Sequence, residues 1–189
     1  MTVRSVILFT GHIVDRPGRT PPRFPPSAVP AAAARIADAL ASLDAGPSDL
    51  ALTQGAAGGD LLFVEAAQAR GVPVQLLQPF DEPRFLAESV LPHGEAWLAR
   101  YAAARARLGA DHPVLAAPAV LGDLAAGDDA YERCNRWLLA TALAQHGAAL
   151  SLIALWDGAG GDGPGGTAHL VRTVGEQAGR VIVIAPQSL

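Results

Sequence analysis

Val3-Arg4-Ser5-Val6-Ile7-Leu8-Phe9-Thr10-Gly11-His12 decides the reading of this chain. Four consecutive apolar residues, two of them β-branched, run into a Thr-Gly turn, the pattern of a strand buried on both faces and closed at its carboxyl end. Strands buried on both faces belong to parallel sheets with helices on each side, so the search outward is for helices between further runs of this kind. Residues 50–53, 72–77, 148–156 and 181–185 supply them, with a weaker run over 113–117. Between them, Val29, Ile36, Leu40 and Leu43 recur at helical spacing before a Gly46-Pro47 stop. Helices are also predicted from the end of the Gly55–Asp60 turn through Arg70, and over 94–108, 131–145 and 167–178, the second carrying a Trp97, Tyr101, Ala104, Leu108 stripe. The expected fold is α/β, a three-layer Rossmann-like domain whose mostly parallel sheet has helices on both faces, spanning 1–189 as a single domain.

Composition narrows the function. At 189 residues, 50% hydrophobic, the chain is long enough for one sizeable core. A net charge of −4 leaves no general basic field for phosphate backbones, so no nucleic-acid partner is expected. No apolar run approaches the roughly 20 residues of a membrane span. The apolar start is too short for a signal peptide, and the expected setting is cytoplasmic with no membrane partner. The single cysteine, Cys134, rules out an intramolecular disulfide and a cysteine-pair zinc site. All 14 basic residues are arginine, which excludes a Walker A lysine and a pyridoxal-phosphate Schiff base. No resident cofactor and no metal site is expected, since His93, His112 and His146 lack partners at metal-ligand spacing.

Three glycine-containing turns follow predicted strands: Thr10-Gly11-His12, Gly55-Ala56-Ala57-Gly58-Gly59-Asp60, and residues 157–167. In an open parallel sheet such loops share one crevice, and glycines with helix-start N–H groups suit a phosphate there. The second turn departs from the dinucleotide fingerprint, and the acidic residue expected about 20 positions beyond it is not evident. Asp60 either meets a ribose hydroxyl or favours its helix electrostatically. His12 faces the crevice as a phosphate donor or acid/base, or bonds nearby backbone. Tyr131 and Asn135 share one helical face, as a stacking ring beside an amide that reads a base edge, or as packing and a loop tether. Asp157, at a strand end, is placed to accept ribose hydroxyls, while Trp156 is expected in the core. Residues 15–30 hold six prolines and form a loop, whose Arg16, Arg19 and Arg23 either fold over an anion or stay solvated.

Phe9-Thr10-Gly11-His12, Gly55 to Asp60, Pro79-Phe80, Tyr131 with Asn135, and Trp156-Asp157-Gly158 with Gly161-Asp162-Gly163-Pro164-Gly165-Gly166-Thr167 resemble the SLOG superfamily, which contains the lonely-guy phosphoribohydrolases and the DNA-processing protein DprA. The chain is most similar to the SLOG-type domains beside tetratricopeptide or nucleotide-cyclase regions of bacterial signalling proteins, from about Val6 to Pro186. The resemblance implies a small-molecule nucleotide derivative as partner, with its phosphate at Gly163, Gly165, Gly166 and Thr167, in a sensor or processing module. It also implies pairing through helices that flank the sheet, with Trp97 or Trp137 in a homodimer patch. The lonely-guy motif Pro-Gly-Gly-x-Gly-Thr-x-x-Glu is not matched in full: Thr167 follows Gly166 directly, and Leu170 stands where the glutamate would be. The alternative, an enzyme cleaving an N-glycosidic bond of a nucleotide, would need Asp60, Asp157 or Glu65 in its place. A third expectation class, a single-strand binder, conflicts with the negative charge.

Overall fold

A computed structural model describes residues 3–158, 167–177 and 179–186. Its strands are β1 (Ser5–Gly11), β2 (Leu50–Thr53), β3 (Val74–Gln78), β4 (Leu115–Ala116), β5 (Ala149–Leu155) and β6 (Arg180–Ile184). They form one sheet in the order β4-β3-β2-β1-β5-β6, every neighbouring pair parallel. The helices are α1 (Val29–Ser42), α2 (Gly59–Ala69), α3 (Glu82–Ser89), α4 (Glu95–Ala106), α5 (Ala117–Leu121), α6 (Ala130–Leu143) and α7 (Thr167–Glu176). The chain is therefore a three-layer α/β domain of Rossmann-like build.

The alternation along β1 sets the layers. Ile7 and Phe9 point into a core with α1, α2 and α4, through Ile36, Leu40, Phe63 and Tyr101. Val6 and Leu8 point the other way, into a second core with Leu138 and Ala142 of α6 and Leu170 and Val174 of α7. Trp97 lies in the first core, 8% exposed beneath the Arg100 guanidinium, and so drops out of any dimer patch. Trp137 is half-buried against the second core. Among the described residues, no helix is long and apolar enough to cross a membrane.

Four departures from the sequence reading have local causes. Pro30 lies inside α1, in the first turn, where a missing N–H breaks no helical bond. β4 shrinks to two residues, and α3, unanticipated, starts where Asp81 accepts the Arg84 N–H at 2.9 Å. The proline-rich segment is anchored rather than loose. Asp15 Oδ2 accepts the N–H groups of Arg23 and Phe24 at 2.8 and 3.0 Å, and Val14 and Phe24 are buried.

Phe9 and Phe63 stack at 4.9 Å between β1 and α2. Phe9→Ala leaves a cavity there and is expected to cost about 3–5 kcal/mol, read as a lower urea midpoint with an unchanged slope.

Candidate functional site

β1 is the strand at which the order reverses: β2, β3 and β4 lie on one side, β5 and β6 on the other. Chains leaving β1 and β5 diverge around the gap between their carboxyl ends, where doubly wound sheets bind ligands. A cavity of about 860 Å³ opens there, within the usual range for small-molecule sites.

Seven of the residues predicted for the site line this cavity: Thr10, Gly11, His12, Asp60, Tyr131, Asn135 and Thr167. The hydroxyls of Thr10, at the end of β1, and Thr167, first residue of α7, lie 3.2 Å apart. The α7 N-terminus thus adjoins the cavity, where the helix dipole favours negative charge. His12 is 8% exposed, and its Nε2 accepts the backbone N–H of Asp157 at 3.2 Å and lies 3.4 Å from Asp157 Oδ1. Asp157 does not line the cavity itself, but its other oxygen lies 3.5 Å from Nε of Arg23, which does. Gly163, Gly165 and Gly166 lie outside the described residues.

The remaining glycines serve close packing. Gly58 has φ 108°, and a Cβ on it would stand 2.5 Å from the Val14 nitrogen, where the loop after β1 pairs with the loop after β2. A Cβ on Gly59 would press the Phe9 ring at 3.0 Å, and one on Gly55 would meet Leu76 at 3.3 Å. None of the three lines the cavity.

Asp60 takes a role neither sequence alternative contained. Its Oδ2 accepts the Gly55 and Ala56 N–H groups at 3.1 and 3.2 Å, so the carboxyl pins the β2–α2 turn. Burial pushes its pKa up to about 6, against the pull of those N–H donors.

Tyr131 and Asn135 do face the same way. The Tyr131 hydroxyl lies 3.1 Å from Ser89 Oγ, and its ring meets Phe80 edge-on at 5.5 Å. Asn135 Oδ1 accepts from Gln54 Nε2 at 2.8 Å. Packing and cavity lining therefore coexist in both residues. Gln54, Glu88, His93 and Asp129 also line the cavity, none of them anticipated. His93 arrives on the turn Leu91–His93, and burial, then the charge of Arg16, lower its pKa. Arg16, Arg19 and Arg23 line the same cavity. Trp156 lines it too, rather than lying wholly in the core. Cys134 donates its thiol to the Leu77 carbonyl at 3.2 Å, and burial pushes its pKa far up, so it is no nucleophile.

No family model and no curated protein matches the chain. Among solved structures it is similar to the Moco carrier protein from Chlamydomonas reinhardtii, at 13% identity over 96% of this chain and 90% of that one, with a TM-score of 0.36.

The raised Asp60 pKa has a defined sign. The unfolded chain releases this proton near pH 4 and the folded chain near pH 6, so ionisation costs stability progressively between those values and fully above them. Asp60→Asn keeps an acceptor for both N–H groups without that cost. It is expected to match wild type at pH 4 and to exceed it by up to about 3 kcal/mol at pH 7.5, measured by urea melts at both pH values. Asp60→Ala, which frees both donors, is expected to be less stable than Asp60→Asn at either pH.

Proposed function

We propose that this chain is a SLOG-type module that binds a nucleotide or nucleotide-derived phosphate in the crevice between β1 and β5, as a sensor or processing part of bacterial signalling. The observation that carries this reading is the convergence in one cavity of two threonine hydroxyls at a helix N-terminus with three arginines of a single loop. These groups bring guanidiniums and hydroxyls, beside the carboxylates of Asp15, Asp60, Glu88 and Asp129, to the place where a parallel sheet receives its ligand. Tyr131, with the Gln54–Asn135 amide pair beside it, supplies the ring and hydrogen-bonding groups that a base requires. The phosphate would sit against Thr10, Thr167 and the start of α7.

Binding takes precedence over catalysis because the carboxylates considered as substitutes for the absent glutamate are engaged. Asp60 holds backbone N–H groups, and Asp157 meets His12 and Arg23. Glu65 is bound by Arg100 through two contacts of 2.7 and 2.5 Å, away from the cavity.

The test is a thermal-shift screen of nucleoside monophosphates, followed by calorimetry and product analysis of any hit. Thr167→Ala is expected to weaken the hit by about 1–2 kcal/mol, the loss of one hydrogen bond to a charged group. Arg180→Ala, in β6 and outside the cavity, is expected to leave affinity unchanged. Release of ribose phosphate would make the chain an enzyme, and silence across the whole panel would refute the nucleotide reading.

A further inference from the structure

Within the loop after β1, Arg16-Pro17-Gly18-Arg19 forms a closed turn. The Arg19 N–H donates to the Arg16 carbonyl at 3.2 Å, Pro17 occupies the second position, and Gly18 has φ 82° in the third. This is the signature of a type II turn, which holds its first and last residues within about 7 Å at Cα. The turn therefore fixes the spacing of the two arginine Cα atoms, from which both side chains extend into exposed positions. Nothing lies within 4 Å of a Cβ built on Gly18, so the glycine is required by the backbone angle and not by crowding. The turn stands on a fixed base, because Asp15 bonds the N–H groups of Arg23 and Phe24 and also donates its own N–H to the Phe24 carbonyl at 2.8 Å. All four of its residues line the cavity.

Charge accounting singles out Arg16. Arg19 lies 3.4 Å from Asp15, and Arg23 lies 3.5 Å from Asp157. Of the other carboxylates lining the cavity, Glu88 is taken by Arg84 at 2.7 Å, and Asp129 caps α6 by accepting the Glu132 N–H at 2.8 Å. Asp60 pins the β2–α2 turn. Arg16 has no carboxylate partner among the described residues, and its field reaches His93 across the cavity wall.

Resting on the reading of the crevice as a nucleotide site, we propose that the Arg16-Pro17-Gly18-Arg19 turn is a second anion subsite, distinct from the Thr10–Thr167 end. It receives the distal phosphate of a nucleoside diphosphate or longer polyphosphate ester. The first phosphate sits at the α7 N-terminus, and the next one meets the guanidiniums of two arginines whose Cα spacing the turn has fixed in advance. The ordered turn loses less backbone freedom on binding than a loose loop carrying the same arginines would. A cavity of about 860 Å³ lies toward the upper end of ligand-site volumes and accommodates the longer ligand.

Calorimetry on the full chain, without divalent cations, tests this with the mono-, di- and triphosphates of adenosine and guanosine and with inorganic pyrophosphate. Wild type is expected to bind the diphosphate about tenfold more tightly than the monophosphate, one charge-assisted contact's worth. Arg16→Ala is expected to abolish that increment while changing monophosphate affinity less than about twofold. Gly18→Ala keeps every charge but opposes the positive φ, and is expected to reduce the increment as well. Arg35→Ala, exposed on α1, is expected to leave it intact. Pyrophosphate is expected to compete with the diphosphate in wild type and to lose that ability in Arg16→Ala. Equal mono- and diphosphate affinity in wild type overturns the second subsite alone, as does an increment that survives Arg16→Ala or an equal loss for both ligands. Failure of every nucleotide to bind removes the parent reading together with this one.

Discussion

The backbone of His12 donates to the Leu155 carbonyl at 3.0 Å on one side and accepts the Gly59 N–H at 3.2 Å on the other, and its ring accepts the Asp157 N–H. One residue thus joins the ends of β1 and β5 to the start of α2. β1 is buried on both faces and paired on both edges, so polar groups at its carboxyl end have to be satisfied by protein. The loop after β1 meets this requirement by continuing along the loop after β2, with the Val14 N–H on the Ala57 carbonyl at 3.1 Å and the Ile13–Gly58 bridge. That pairing demands a residue without Cβ at 58. It turns the outgoing chain over the crevice, so the arginines of the next segment line the cavity, Arg16 and Arg19 at its solvent-exposed rim.

The core was legible because it depends on local pattern. Val6 to Phe9 had to be a two-faced strand, and the alternation of Ile7 and Phe9 with Val6 and Leu8 divides the two cores as a parallel sheet requires. Elements that depend on distant partners were less legible. The weak run over 113–117 contains β4, but only Leu115 and Ala116 pair, held at the sheet edge by β3 beside the bond from the Gln75 amide to the Pro113 carbonyl. Trp97 belongs with the first: its helical stripe with Tyr101 and Ala104 is local pattern, and that stripe lies in the first core, whereas the dimer patch came only from the resemblance.

At the site, spacing revealed which residues share a face and left their occupations undetermined. Tyr131 and Asn135 are a helical turn apart, but Ser89 and Gln54, which orient them, come from other elements. For Asp60 the two readings considered both looked outward or along the helix. Its carboxyl instead reaches back to the turn it follows, an arrangement that depends on the positive φ of Gly55. The Pro17-Gly18 pair is a recognisable turn signal. Grouping it with the other prolines of 15–30 as one loop concealed the fact that this segment has a closed base and a defined tip. His93 had no local signal, because its place beside Val14 and Arg16 arises from the fold of the turn after α3.

The cavity's charges constrain its ligand further. Arg19 and Arg23 lie near Asp15 and Asp157, at 3.4 and 3.5 Å, so each guanidinium has a carboxylate beside it before any ligand arrives. An incoming anion has to compete with those carboxylates, and neither is free to withdraw: Asp15 holds the base of the loop, and Asp157 is bound to His12. The net attraction for a small, singly charged ion is correspondingly weak. A ligand gains by contacting several elements at once, with hydroxyl and N–H donors at the α7 end, a guanidinium without a resident carboxylate at the turn, and amide and ring contacts on α6. The same carboxylates that fix the loop thereby favour extended, multiply charged molecules over free inorganic anions, because discrimination comes from the difference between one contact and many.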